Sequence, residues 1–215
     1  MIVKDTLLHA NKVLVLCAHT DDEYGCAGTI IRILKAGAEV HYIALSRCEE
    51  SVPEGFPVDV LEKECRECGR ILGLKPENIE IWDYKVRYFP THRQEILEEF
   101  IKIKRSYNPD LVLVPSSSDT HQDHQTIYAE GFRAFKDSSI LGYEVPYNLR
   151  SFENTAFIRL SSEELDIKVA GLSSYKSQLF RACSQSEFIK SLARVRGGQC
   201  NADFAEAFEL IRLIV

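Results

Sequence analysis

The strongest constraint on this chain is a set of short segments that are apolar throughout rather than at alternate positions. Residues 12–18 (KVLVLCA), 39–45 (EVHYIAL), 79–84 (IEIWDY), 110–115 (DLVLVP) and 155–160 (TAFIRL) are rich in Val, Ile and Leu. A strand with one wet face alternates, whereas a strand covered on both faces does not. Between the first four runs lie segments of helical period. Residues 23–35 place Ala27, Ile30, Ile31 and Leu34 on one face and meet a glycine stop at Gly37. Residues 58–72 carry Leu61, Cys65, Cys68 and Leu72 at helical spacing and end at Gly73. Residues 91–106 carry Ile96, Phe100 and Ile103, and a fourth helix is expected from about Gln122 to Phe135. This alternation predicts an α/β fold: a Rossmann-like, doubly wound, mainly parallel sheet with helices on both faces.

Beyond residue 160 the pattern is less regular. Residues 161–178 read as a helix with an N-terminal capping pattern, and 186–198 as a helix with a glycine stop. Residues 205–215 (AEAFELIRLIV) read as a last strand rather than a helix end. No Gly/Ser or Pro tract interrupts the 215 residues, so one domain spanning 1–215 is expected.

The net charge of −6 argues against nucleic acid as the main partner, because phosphate backbones call for Lys/Arg surfaces. The first 23 residues lack a signal-peptide pattern, and no segment is long enough to span a membrane. Seven scattered cysteines suit a reduced, cytoplasmic protein. Cys65 and Cys68 form a C-x-x-C pair, but they lie on the inner stripe of their helix and no second pair accompanies them. Packing is the simpler role for them than zinc or redox chemistry. Oligomeric state is not legible, and a homo-oligomer is compatible with the sequence.

Two loops carry the chemistry. The first strand runs into CAHTDDEYG, residues 17–25, where a histidine precedes three adjacent acids. The fourth runs into PSSSDTHQDHQ, residues 115–125, where His121 and His124 are three apart. In a doubly wound sheet the first strand lies beside the fourth, and ligands bind at the carboxyl ends of strands where the order reverses. Each loop alone is also readable as a polar helix start. Thr20 and Glu23 fit a capping box, and acids favour the first turn of a helix. Together at one crevice, they are most simply explained by a cation, since imidazole nitrogens and carboxylate oxygens are good zinc ligands.

These residues carry a resemblance. AHTDDE and HQDH resemble the A-H-P-D-D-E and H-x-D-H motifs of the PIG-L/LmbE-like metal-dependent N-deacetylases. SYKSQ at 174–178, and RG with AEAF within 196–208, also resemble landmarks of that family, so the likeness covers nearly the whole chain. It implies a zinc hydrolase that removes the N-acetyl group from an amino sugar of N-acetylglucosamine type, or from its conjugate. By matching positions, His19, Asp22 and His124 would bind the metal and Asp21 would be the general base. His121 would hold the oxyanion, as an imidazolium, and Asp123 would orient a histidine. Two histidines and one aspartate suit Zn2+ and do not exclude Fe2+.

Two departures stand out. Thr20 replaces the usual proline, and Leu61 stands where many members have an arginine that contacts substrate. Arg47 and Arg87, on loops after the second and third strands, are the candidate replacements, with Tyr143 and Glu144 as weaker ones. The rival class is a non-catalytic sugar or nucleotide-sugar binding module on the same fold. Against it, the first loop lacks G-x-G-x-x-G and sets three acids where phosphates would dock. A serine hydrolase is disfavoured by the lack of a G-x-S-x-G elbow.

Overall fold

The computed structural model describes residues 10–214. Residues 1–9 of the segment that lacks a signal-peptide pattern lie outside the described residues. Among the described residues, seven strands form one sheet: β1 (Lys12–Cys17), β2 (Glu39–Ala44), β3 (Ile79–Ile81), β4 (Leu111–Pro115), β5 (Ser139–Tyr143), β6 (Ala156–Leu160) and β7 (Phe204–Arg212). Six α-helices accompany them: α1 (Ala27–Lys35), α2 (Val60–Leu72), α3 (Arg93–Tyr107), α4 (Gln122–Ala134), α5 (Ser162–Leu172) and α6 (Ser186–Gln199). The strand order is β3-β2-β1-β4-β5-β7-β6. β1 to β5 are mutually parallel, while β7 runs antiparallel between β5 and β6.

Both faces are covered. Val13, Val15 and Cys17 of β1 pack with side chains of α1, α2 and α5, whereas Leu14 and Leu16 pack with those of α3 and α4. Every residue from Val13 to Cys17 is fully buried, which is why the run is apolar at every position. Leu61, Cys65, Cys68 and Leu72 line the buried face of α2, and all seven cysteines are free thiols. Among the described residues, no helix is long and apolar enough to cross a membrane.

Several elements differ from expectation. The first helix begins at Ala27 rather than Glu23, and a 3-10 turn over Asp22–Gly25 precedes it. The turn ends on Gly25, where a Cβ would collide with the carbonyl oxygen of Glu144, so this close approach needs a residue without a side chain. The Thr20/Glu23 capping box does not form. Glu23 turns inward instead and accepts from the hydroxyls of Tyr42 (3.1 Å) and Tyr175 (2.7 Å). A capping box is present on α5, between Ser161 and Glu164. α6 does not stop at its glycines but runs through both to Gln199. Gly197 serves close packing there, since a Cβ would lie 2.6 Å from the Asp203 carbonyl oxygen. β3 covers only Ile79–Ile81 of the run that suggested it, and β5 had no counterpart in the sequence reading.

Candidate functional site

Parallel pairing of β1 with β4 aligns Val13 with Leu111 and Val15 with Leu113, so the loops that follow both strands open at the same crevice. There His19, Asp22 and His124 converge. The His19 Nδ1 and Asp22 Oδ2 atoms are 3.4 Å apart, Asp22 Oδ2 and His124 Nε2 3.2 Å, and His124 Nε2 and His19 Nδ1 3.1 Å. A tetrahedral zinc with ligands at about 2.0–2.1 Å has ligand-to-ligand edges of roughly 3.3 Å. The triangle therefore has the size such a cation needs. Asp22 and His124 are buried, and the second Asp22 oxygen, Oδ1, has no hydrogen-bond partner. A ring nitrogen of His121 also lies within 4.8 Å of those of His19 and His124, giving a looser set that contains the same two histidines.

Each histidine of the triangle is backed by a carboxylate. His19 Nε2 meets Asp123 Oδ2 at 3.2 Å, and His124 Nδ1 meets Asp119 Oδ2 at 2.8 Å. An N–H directed at each carboxylate leaves the opposite ring nitrogen with a lone pair facing the centre, as metal-ligating imidazoles require. Asp123 is itself held by the loop after β3: it accepts from the backbone amides of Arg87 (2.6 Å) and Phe89 (3.3 Å). Arg87 adopts φ 73° to deliver that amide, a left-handed conformation that a bulky residue rarely takes. Asp119, which sequence reasoning missed, also accepts from the His121 amide at 2.8 Å. Its signal was an acid two residues before His121.

Charge follows from this packing. Burial would raise the Asp22 carboxyl, but His124 and His19 hold it well below the usual range. Asp21, one residue earlier, faces the cleft instead. Burial and the neighbouring Asp22 charge raise it, against the opposing pull of Arg181, 3.4 Å away, and of His19. His121 is pushed down to about 4 by burial and by the charges of His19 and His124. That direction favours the neutral imidazole over the imidazolium expected at this position. Its Nδ1 accepts from the Asp123 amide at 3.2 Å, so in the neutral ring Nε2 carries the proton.

A cleft of about 670 Å3 opens beside the triangle, lined in part by His19, Asp21, His121 and His124. Of the four residues weighed for substrate, only Arg87 lines it. Arg47 is exposed and sits 3.9 Å from Glu62 and 3.8 Å from Asp83. Tyr143 is fully buried and donates to the Leu16 carbonyl at 3.0 Å. Glu144 is buried in an ion pair with Arg196, 2.9 Å from its Nε. Tyr143 and Glu144 are held by packing and pairing, and none of the three lines the cleft. Leu61 lines the cleft, as does Arg181, on the irregular segment between α5 and α6, where the sequence carried no periodic signal.

The fold has known counterparts. N,N'-diacetylchitobiose deacetylase from Pyrococcus horikoshii matches with a TM-score of 0.80 at 21% identity, over 97% of this chain and 86% of that one. The conserved protein TT1542 from Thermus thermophilus matches at 0.77 and 23% identity, over 94% and 96% of the two chains. GalB, the 4-carboxy-2-hydroxymuconate hydratase from Pseudomonas putida, matches at 0.79 and 20% identity, over 95% and 98%. A deacetylase and a hydratase on one architecture mean that the fold by itself does not name a reaction. The family model described as "PIG-L: GlcNAc-PI de-N-acetylase" matches residues 14–135, more than half of the chain and both loops of the crevice; the protein belongs to the PIG-L family.

Proposed function

We propose that this protein is a zinc-dependent deacetylase that removes the N-acetyl group from an N-acetylated amino sugar of N-acetylglucosamine type, or from a conjugate of one. The observation that carries the proposal is the triangle of His19 Nδ1, Asp22 Oδ2 and His124 Nε2, with edges of 3.1–3.4 Å, beside an acid that faces the cleft. Family membership agrees with it. His19, Asp22 and His124 are the ligands in this reading, and the same donors accept Fe2+. A cation held there would supply Lewis acidity for the amide carbonyl and would make water acidic enough to attack near neutral pH.

The chain's own groups then divide the proton work. Asp21 takes the proton of the attacking water. Its raised proton affinity suits a base that must later return that proton to the departing amine. His121 donates from Nε2–H to the oxygen on which negative charge develops, as a neutral donor that does not lose its proton. Asp123 and Asp119 fix the orientation and tautomer of His19 and His124.

Asp21→Asn tests the assignment, because the amide keeps the size of the side chain and cannot accept the proton. Turnover should fall by about two to four orders of magnitude while zinc stays at one per chain. Asp22→Asn should instead weaken zinc retention. Acetate release and zinc content, measured on both variants, separate the two roles. A zinc-loaded Asp21→Asn protein with near-normal turnover would refute Asp21 as the base.

A further inference from the structure

The chain carries a net charge of −6, yet two guanidinium groups line its cleft. Asp21 is the one carboxylate among the described residues lining the cleft, against two guanidinium groups, Arg87 and Arg181. Asp22, Asp119 and Asp123 lie buried behind the histidines. Neither arginine is used up by the protein. The Arg87 side chain has no ion-pair or hydrogen-bond partner among the described residues; only its backbone amide is engaged, by Asp123. Arg181 offers five N–H donors and spends one, on a 3.4 Å contact with Asp21; Phe180 lies under its guanidinium at 5.7 Å. Arg93 and Arg133, by contrast, both close on Glu130 at 2.6 Å.

The surroundings strengthen the pair. Leu61, Val86, Pro146, Tyr147 and Phe188 make much of the rest of the wall apolar. In such a setting a guanidinium attracts an anion more strongly than it would in open water. Tyr147 and Phe188 remain 54% and 39% exposed, so their rings are open to the face of a sugar.

We propose that Arg181 and Arg87 select an N-acyl amino sugar that carries an anionic substituent, a carboxylate or a phosphate. This rests on the deacetylase reading for the reaction but not for the binding. A planar fork of N–H donors matches the paired oxygens of either anion, and a neutral sugar offers no equivalent partner.

The test uses the zinc-loaded protein and three matched sugars: N-acetylglucosamine (neutral), N-acetylglucosamine 6-phosphate and N-acetylmuramic acid (a carboxylate). Acetate release gives kcat/KM for each. Calorimetry with the deacetylated products glucosamine, glucosamine 6-phosphate and muramic acid gives affinity with no turnover. The expected result is a preference of about tenfold to a hundredfold for at least one anionic member, as one to two charge-assisted contacts would supply. Whichever of the two is preferred identifies the anion. Arg181→Gln and Arg87→Gln should each reduce that preference several-fold, with Arg181→Lys keeping part of it. The ratio of anionic to neutral substrate cancels any effect transmitted through Asp21, and a merely structural role would leave it unmoved. Equal affinity for neutral and anionic products would overturn the proposal. So would no binding of any product, or a preference that survives both Gln substitutions, which would place the anion elsewhere. An Arg-dependent preference in calorimetry without acetate release from any of the three would uphold the anion site and remove these free monosaccharides as substrates of the deacetylase. Efficient acetate release with no charge preference would do the reverse.

Discussion

Two imidazole lone pairs and a carboxylate oxygen that point at one spot need a cation or a proton between them. Burial opposes a charged ring at both histidines. At His19, the charge of Asp22 and the hydrogen bond that the ring donates to Asp123 outweigh it and raise the ring to about 9. At His124, Asp22 and Asp119 do the same and raise it to about 10. At neutral pH the metal-free site therefore holds protons, and an incoming cation must expel them. The sign follows: affinity for zinc falls as pH falls. Between about pH 8 and pH 6 each unit should weaken binding by a factor of about ten to a hundred, according to whether one proton or two are released. Zinc titrations in buffers of different ionisation enthalpy count those protons, and a count of zero near pH 7 would contradict this arrangement.

At the scale of elements, the start of α1 is held by a residue 178 positions away. Glu206 of β7 accepts from the amides of Gly28 (2.8 Å) and Thr29 (2.7 Å), and from the Lys168 ammonium of α5 (2.7 Å). Glu206 and Lys168 are both buried, so Glu206→Gln strands a positive charge in the interior. The expected cost is about 3–5 kcal/mol, read as a lower urea midpoint at unchanged slope. This contact also marks the limit of sequence reading. The alternation of apolar runs and helical segments was enough to place β1, β2, β4, α2 and α4, because local periodicity and burial on both faces agree there. It could not supply Glu206 as the cap of α1, nor the close approach of Gly25 to the Glu144 carbonyl, since both depend on chain segments far away in sequence. β5 escaped because Ser139 and Gly142 interrupt its apolar run. In the site, the two loops were legible because His, Asp and Glu are conspicuous after buried strands. Asp119 and Arg181 were not, one being a common turn residue and the other lying on an irregular segment.

Over the whole molecule, the crevice is where the ends of β1 and β4 meet, and a cation held there would join two loops about a hundred residues apart in sequence. Binding only the folded state, it should contribute about 4 kcal/mol at a thousandfold excess over its dissociation constant. Removing it with a chelator should lower the melting temperature by roughly 8–16 °C for a chain of this size, and zinc should restore it. An unchanged melting temperature would mean that the crevice binds no ion tightly. The same burial that builds the core also silences most of its sulfur. Burial pushes the thiols of Cys17, Cys26, Cys65 and Cys68 far above their ordinary range and that of Cys48 to about 12, leaving them without thiolate at physiological pH. Cys183 and Cys200 are the two that remain half-buried, and Cys183 lines the cleft. An alkylating reagent should thus find two addresses among seven cysteines, one of them on the cleft wall, where a bulky adduct would act as a stopper.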